Sequence, residues 1–236
     1  MREHSLTNED IEKLYHRHVV KPPAYFARFE YPARVFSRDE LRAFESLDPP
    51  RLASLIDFRE WIDAHGLRTG GSLLSTCRQD YELRYLRYDN TTFAEYPPHD
   101  LHTLDLPTKD HDFAIVSQTL EHVHDPGLAV ARLATHLRTG GYLYTTVPTV
   151  NIPHMTPIHF WGITPTGLCA LMVANGFEIC ACGYWGNRPY LEYIFSRGTW
   201  PGYRDVLEHG RLTYDPVCQA QTWVLARRIG PMDRTP

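Results

Sequence analysis

The sequence has no long apolar run and no excess of positive charge, and each absence excludes a class of protein. No window approaches the roughly 20 consecutive apolar residues that a membrane-spanning helix needs. Lysine and arginine number 24 against 28 aspartates and glutamates, whereas proteins that bind nucleic acid usually carry a basic excess or stripe. We therefore expect a protein that binds neither a membrane nor nucleic acid.

Cysteine is scarce as well, and its spacing shows no paired C-x-x-C motif. The five cysteines are Cys77, Cys169, Cys180, Cys182 and Cys218. This pattern fits neither a disulfide framework nor a structural zinc site, so reduced thiols are expected. Residues 1–20 carry charges throughout and lack the apolar stretch of a secretory signal. Together these features predict a cytoplasmic location.

Apolar side chains are abundant enough for a full-sized core. Hydrophobic residues make up 43% of the 236 positions and aromatic residues 12%, which suits one large domain or two small ones. Helical patterns dominate the first part of the chain: residues 8–20 with Asn8 as the cap, residues 37–47 starting at Ser37, and residues 50–66. We predict a helical N-terminal extension over residues 1–70 that serves as a lid.

Short β-branched or aromatic runs alternate with helical patterns from residue 71 onward, which is typical of βα units and a mainly parallel sheet. The seven strand candidates are residues 72–77, 90–96, 100–106, 111–117, 142–148, 177–185 and 219–229. Helical stretches between them are residues 78–86, 125–137 and 165–175. The prediction is a doubly wound, seven-stranded α/β domain over residues 71–236, with a ligand crevice at the carboxyl ends of its strands.

Residues 99–126 read HDLHTLDLPTKDHDFAIVSQTLEHVHDP. An acidic residue, Leu-Pro, a polar turn, Asp-Phe with a hydrophobic strand, and Leu-Glu-His-Val before Asp-Pro follow one another here. This order resembles the class I S-adenosylmethionine-dependent methyltransferases. The resemblance continues through residues 133–148, 159–179 and 221–228, with the expected spacing, over roughly two thirds of the chain. It implies the family's Rossmann-like fold and its cofactor, S-adenosylmethionine.

The resemblance also implies residues that would hold the nucleoside of this cofactor. In the family, the second strand ends in an acidic residue that accepts both ribose hydroxyls, and Glu95 matches that position. Asp105 resembles the acid that contacts the adenine amino group, with Leu106 supplying a backbone contact. Asp100 is a rival for the adenine role, because the register of this stretch is ambiguous.

The first strand and its turn depart from the family, which normally carries Asp-x-Gly-x-Gly-x-Gly there. Glycines at this turn let backbone amides approach the methionine carboxylate. This chain has Ser75 at the acidic position and Cys77 and Gln79 at glycine positions. Two alternatives stay open. Either Arg78 or another basic residue holds the carboxylate while the loop takes a different path, with Cys77 nearby, or the cofactor is bound weakly or not at all.

Several polar side chains follow the fourth predicted strand, where an acceptor would approach the cofactor's sulfonium. Ser117 and Gln118 are expected to contact the cofactor there. A hydroxyl is a poor nucleophile at neutral pH, so methyl transfer to oxygen benefits from a base, and histidine has a suitable pKa. The candidate bases are His159, which is the first choice, His122 and His154.

A metal-assisted reaction is a further reading of the same stretch. Some O-methyltransferases that resemble this chain carry Glu-x-x-Glu-His, which together with a later histidine holds a divalent ion. Here the corresponding residues are Gln118, Glu121 and His122, so the first carboxylate has become an amide. An amide weakens a site for a hard cation, which favours charged oxygens, and no metal is expected.

Residues 186–216 are rich in aromatic side chains and arginine. They could line the acceptor pocket through Arg188, Tyr190 and Tyr193, pack as a cover over the core, or form a homodimer surface. Aromatic stripes more often pack than bind, which favours the cover.

Taken together, the residues favour an S-adenosylmethionine-dependent methyltransferase that methylates an oxygen of a small molecule, sugar or glycan. The alternative is a methyltransferase-like protein that is inactive or repurposed as a binding partner or scaffold, and the altered first turn supports it. Nicotinamide-dependent oxidoreduction is disfavoured, because no G-x-G-x-x-G follows any predicted strand.

Overall fold

The computed structural model describes residues 6–154 and 158–229. The strands are β1 Thr69–Ser75, β2 Arg87–Phe93, β3 His111–Ser117, β4 Leu137–Pro148, β5 Phe177–Trp185 and β6 Gln221–Arg228. The α-helices are α1 Asn8–Leu14, α2 Pro23–Ala27, α3 Arg38–Ala43, α4 Pro49–Ala64, α5 Pro126–Thr135, α6 Pro165–Val173 and α7 Arg188–Arg197. Short 3₁₀ helices cover Pro32–Arg34, Tyr81–Tyr85, Leu120–His122 and Tyr203–Val206, and a π-helical turn covers Tyr15–Val19. Within these residues, no helix combines the length and apolarity needed to cross a bilayer.

The strands form one sheet in the order β2-β1-β3-β4-β6-β5. The first four strands are parallel, whereas β6 runs antiparallel to β4 and β5. The predicted doubly wound α/β fold with a mainly parallel sheet is confirmed. From β1 the chain continues to β2 on one side and to β3 on the other, which makes the β1–β3 boundary the switch point where such sheets bind ligands.

The predicted strand count of seven is wrong, because the described part of the chain has six strands. Residues 100–106 form turns instead of a strand. The Asp100 carboxylate accepts the backbone N–H of His102 at 2.8 Å, which closes a local turn and competes with strand pairing. Leu101, Leu104 and Leu106 are nevertheless buried, so the apolar content that suggested a strand packs on the core from a loop.

Helix boundaries follow the capping residues. Thr7 rather than Asn8 caps α1, since the Thr7 hydroxyl accepts the Asp10 N–H at 3.2 Å. Ser37 caps α3 as predicted, with a reciprocal bond from its N–H to Glu40 at 2.8 Å. The helix predicted over residues 78–86 is a 3₁₀ helix of five residues, and the one predicted over 125–137 ends earlier because Leu137 pairs with β3.

The α4 helix covers one face of the sheet and positions the N-terminal segment. Its Phe58 ring packs 4.7 Å from Tyr144 of β4 and 6.4 Å from Phe113 of β3, measured between ring centroids. The Tyr144 hydroxyl donates to the backbone carbonyl of Ser54 at 3.2 Å. These contacts tie α4 to the core. The boundary predicted at residue 70 stays a prediction.

A buried polar network joins α2, α4 and β6. Asp57 of α4 is fully buried and accepts the Tyr25 hydroxyl at 2.5 Å and the Trp223 indole N–H at 2.7 Å, and it forms an ion pair with the Arg28 guanidinium. Gly183 of β5 lies directly against this network, where a Cβ atom would overlap the Trp223 nitrogen, the Asp57 carboxylate and the Tyr25 hydroxyl. The absence of a side chain at position 183 therefore permits the network.

We expect Gly183→Ala to lower the free energy of unfolding by about 1–3 kcal/mol, because the added methyl overpacks a buried site. Urea denaturation followed by circular dichroism measures the change. Gly71→Ala on β1 is the control, since its nearest neighbour there, Asp112 Oδ2, lies at 3.2 Å and is partly exposed. Equal stability of the two variants would contradict the assignment.

Candidate active site

A large cavity of about 1450 Å³ opens at the carboxyl ends of β1, β2 and β3. It lies at the switch point of the sheet, where this architecture binds ligands. Five of the seven residues predicted to hold the cofactor line it, namely Cys77, Arg78, Glu95, Ser117 and Gln118. The cavity is large enough for a nucleoside-sized ligand, and the side chains of residues 6–154 and 158–229 do not fill it.

The turn after β1 replaces glycine flexibility with side-chain hydrogen bonds. The buried Ser75 hydroxyl donates to the Cys77 carbonyl at 2.9 Å and accepts the Cys77 N–H at 3.3 Å. The Thr76 hydroxyl lies 3.0 Å from the Thr119 hydroxyl, which joins this turn to the one after β3. These bonds hold the turn in a defined path, as expected if the loop departs from the family's course.

Glu95 lies two residues beyond β2 and is held by Arg78. Its Oε1 accepts the Arg78 backbone N–H and its Oε2 accepts the Arg78 Nε–H, both at 2.9 Å. The Arg78 guanidinium also lies over the Phe93 ring, 4.1 Å from its centroid. A carboxylate offers about four lone-pair sites, so two bonds to Arg78 leave acceptor capacity. The Glu95 side chain is 37% exposed and lines the cavity, which fits a ligand with adjacent hydroxyls.

The structure brings Asp100 rather than Asp105 to the cavity. Asp100 lines its wall beside Leu101 and His102. The Asp105 side chain is 77% exposed and pairs with Lys109 at 2.7 Å, outside the cavity lining. The backbone N–H of Leu106 donates to His136 Nε2 at 3.0 Å, so it is already engaged. The rival assignment of the adenine contact, Asp100, therefore fits the geometry better.

A second cavity of about 300 Å³ lies beside the first. Its walls are polar and come from α4, the turn after β3, the loop after β4, α7 and β6. The lining residues are Ser46, Asp48, Arg51, Gln118, Glu121, His122, Pro148, Val150, Asn151, His154, Tyr190, Trp200, Ala220 and Gln221. Arg51, Gln118 and His122 line both cavities and so form a shared wall between them. Gln118 has a φ of 48°, a left-handed conformation that side chains rarely adopt.

Two of the predicted histidines form a pair on the second cavity. The Nε2 atoms of His122 and His154 lie 3.1 Å apart, and each Nδ1 lies near a backbone carbonyl, 2.9 Å from Ile158 and 3.0 Å from Ile152. A carbonyl only accepts, so each Nδ1 carries a proton. The two Nε2 lone pairs then face each other, and one added proton would join them in a hydrogen bond.

Burial lowers the pKa of His122, and the neighbouring His154 and His159 lower it further. The hydrogen bond to the Ile158 carbonyl raises it, but the net effect is a lower pKa. His122 is therefore neutral near neutral pH. His159, the first-choice base, has its Nε2 3.0 Å from the Trp161 carbonyl and lines neither cavity among the described residues. Within the same part of the chain, no group of three or more His, Cys, Asp or Glu side chains is arranged to hold a metal ion.

Buried carboxylates surround the shared wall. The positive charge of the Arg51 guanidinium acts to lower the pKa of four carboxyls, those of Asp48, Asp80, Glu82 and Glu121, against the raising effect of burial. Burial raises the pKa of Glu121 to about 8. Burial also raises the pKa of Asp80 to about 8, and the charge of Glu82 adds to this. Although burial opposes it, the charges of Glu82, Asp48 and Asp80 raise the pKa of Arg51 overall.

Sequence reasoning missed several residues of this wall. Arg51 follows two prolines at the start of α4, and Asp48 caps that helix, a capping role that Asp commonly has. Nothing local marks them as site residues, because α4 reaches the strand ends only in the folded chain. Tyr190 was one of three candidates from the aromatic segment, and it lines the second cavity and donates to Asp48 at 3.0 Å. Arg188 and Tyr193 do not line it among the described residues.

The family model described as a methyltransferase domain matches residues 33–181. The match spans more than half of the chain. It includes α4, the strands β1 to β4, and the candidate bases His122, His154 and His159. The protein belongs to the class I S-adenosylmethionine-dependent methyltransferase family. The match begins within the segment predicted as an N-terminal extension.

Solved structures with a similar chain include two S-adenosylmethionine-dependent methyltransferases. The one from Mesorhizobium loti has 15% sequence identity and a TM-score of 0.45, covering 72% of this chain and 98% of its own. The one from Clostridium acetobutylicum has 8% identity and a TM-score of 0.49, covering 74% of this chain and 90% of its own. No curated protein matches the sequence.

Proposed function

We propose that this protein binds S-adenosylmethionine in the large cavity and transfers its methyl group to a hydroxyl oxygen of a small molecule or sugar in the second cavity. The observation that carries the proposal is the shared wall of Arg51, Gln118 and His122, which places a nucleoside-sized cavity next to a smaller polar one at the strand ends. Holding two reactants side by side accounts for much of the rate enhancement in such transfers.

The cavity residues fit this cofactor. Glu95 would accept the ribose hydroxyls with its remaining lone pairs, and Asp100 would receive the adenine amino group. Arg78, fixed by Glu95 through its Nε, keeps its outer guanidinium nitrogens for the methionine carboxylate, because its side chain is 63% exposed. Ser117 and Gln118 would lie near the reactive end. When bound, the cofactor supplies an electrophilic methyl group on a sulfonium.

The His122–His154 pair would accept the proton of the acceptor hydroxyl. Both Nε2 atoms present lone pairs toward each other, so a proton taken up there replaces a lone-pair contact with a hydrogen bond. The resulting positive charge lies beside Glu121, whose Oε1 is 3.9 Å from His122 Nε2. Burial raises the pKa of Glu121 to about 8, so proton uptake by the pair would favour the ionised form of Glu121, and the two opposite charges would then stabilise each other.

Glu95→Ala is expected to weaken binding of S-adenosylhomocysteine by about 10- to 100-fold, because charged hydrogen bonds to the ribose are lost. Isothermal titration calorimetry measures the affinity. Asp89→Ala, on the exposed part of β2 and outside the cavity lining, is the matched control and should leave the affinity unchanged. An unchanged affinity in Glu95→Ala would remove the ribose assignment.

The turn after β1 supports a second candidate function, that of a methyltransferase-like protein without methyltransferase activity. Cys77 and Gln79 place side chains where the family has glycines, and Arg78 between them already donates two hydrogen bonds to the Glu95 carboxylate. A protein that keeps the fold but binds another ligand, or acts as a scaffold, would show these features. Absence of S-adenosylhomocysteine binding at millimolar concentration would favour this function, and methyl transfer from the cofactor to any added hydroxyl compound would exclude it.

A further inference from the structure

Two buried polar atoms on the second cavity have no hydrogen-bond partner in the described part of the chain. Glu121 Oε2 and Gln221 Nε2 belong to side chains that are 1% and 3% exposed, and neither atom is bonded within the described residues. Both residues line the cavity. A buried polar group without a partner costs about 1–3 kcal/mol, so a ligand that entered this cavity would gain free energy by supplying the missing bonds. One is a carboxylate oxygen and the other an amide donor, so the two require opposite partners.

Acidic side chains outnumber basic ones around the cavity. Asp48 and Glu121 line it, and Asp80 and Glu82 lie close to the shared wall. The basic group that acts on the pKa of all four carboxyls is the guanidinium of Arg51. No ion pair within 4.0 Å joins Arg51 to any of them in the described part of the chain. His122 faces Glu121 from the same turn, and burial lowers its pKa, which keeps it neutral near neutral pH. Burial raises the pKa of Glu121 to about 8, so its ionised form is unfavourable in the empty cavity, and a cationic ligand would favour that form by supplying the opposite charge.

The size and the aromatic edge of the cavity restrict the ligand further. A volume of about 300 Å³ suits a molecule no larger than a monosaccharide or a substituted ring. Trp200 lies at its rim, held by a bond from its indole N–H to Asn151 at 2.8 Å. An aromatic face at the rim of a polar cavity suits the C–H face of a saturated ring.

We propose that the acceptor of the second cavity is a small hydroxylated amine, whose protonated amino group pairs with Glu121 and whose hydroxyl oxygen accepts from Gln221. This assignment rests on the proposed function, since it gives the second cavity to the acceptor. It identifies Glu121 as the residue that selects an amine over a neutral polyol. The His122–His154 pair lies next to the same carboxylate, where a hydroxyl neighbouring the amine would meet it.

Two probes of matched shape test the assignment: trans-2-aminocyclohexanol, which is protonated near neutral pH, and trans-1,2-cyclohexanediol, which is neutral. Calorimetry measures the affinity of each, with and without saturating S-adenosylhomocysteine. We expect the amine to bind about tenfold more tightly or better, because a hydrogen bond to a charged partner replaces a neutral one. Equal binding of the two probes, or binding of neither, would overturn the proposal.

Glu121→Gln keeps the shape and removes the charge, so it should abolish the preference for the amine while S-adenosylhomocysteine affinity stays unchanged. Glu178→Gln, an exposed residue of β5 paired with Arg227, should keep the full preference. A tenfold loss of S-adenosylhomocysteine affinity in Glu121→Gln would show that the Glu121 carboxylate contacts the cofactor instead of the acceptor, and it would overturn the proposal. An amine preference without any S-adenosylhomocysteine binding would instead overturn the proposed function and leave the amine site standing.

Discussion

Replacement of His122 by asparagine is expected to lower kcat for methyl transfer by about 10²- to 10⁴-fold, which is the usual contribution of a positioned base. His122 offers its Nε2 to the second cavity while its Nδ1 is held by the Ile158 carbonyl. Asparagine keeps a polar side chain but cannot take up the proton. The affinity for S-adenosylhomocysteine should change much less than kcat, and a steady-state assay with a competing binding measurement separates the two.

The pH profile gives a second check of the same role. Burial lowers the pKa of His122 below its ordinary value of about 6.5. A base must be unprotonated to act, so kcat/KM should be constant near neutral pH and fall as the pH decreases through this lowered pKa. The acidic limb should vanish in His122→Asn. His16→Asn, an exposed change in the N-terminal π-helical turn, should keep both the limb and the rate. A full rate in His122→Asn would show that another group is the base.

Replacement of Asp57 by alanine is expected to lower the free energy of unfolding by about 3–5 kcal/mol, because it leaves the Trp223 indole N–H and the Tyr25 hydroxyl without their acceptor inside the core. Asp57 is fully buried, accepts hydrogen bonds from Tyr25 of α2 and Trp223 of β6, and forms an ion pair with Arg28 at the end of α2. The loss should appear as a lower urea midpoint with an unchanged m-value. It should also loosen the N-terminal segment, because Tyr25 and Arg28 are attached to the core through this carboxylate.

Asp63→Ala is the matched control on the same helix. Asp63 pairs with Arg68, but the two side chains are 54% and 42% exposed, and exposed pairs contribute only about 0–1 kcal/mol. The two substitutions remove the same group from α4 and differ in burial. If Asp63→Ala proved as destabilising as Asp57→Ala, burial would not be the reason for the loss.

The sequence-based predictions succeeded where the signal is local. Thr164 caps α6 by accepting the Gly167 N–H at 3.2 Å, with Pro165 in the first turn, as the pattern indicates. The methyltransferase resemblance rested on ordered motifs along the chain, and the family match confirms it. The prediction failed at residues 100–106, where leucines and a β-branched residue suggested a strand but an aspartate-centred turn formed instead.

The site predictions show the limit of the same reasoning. Glu95 was singled out from its place after the second strand, and it does line the large cavity, but its pairing with Arg78 depends on the path of a turn that no motif describes. Among the histidines, the choice of His159 relied on position alone. The structure pairs His122 with His154 instead, because the loop after β4 folds back on the turn after β3.

Alternation of apolar residues and helix caps were sufficient to predict a mainly parallel α/β sheet, because they depend on interactions between residues close in sequence. The methyltransferase family was identified separately, from the resemblance of ordered motifs to those of known proteins. The convergence of Arg51, Glu121 and Gln221 on one cavity could not be derived that way. These residues come from a helix near the start of the chain, a turn in its middle and the last strand. Their meeting depends on strand order and register, which are set by packing across the whole sheet.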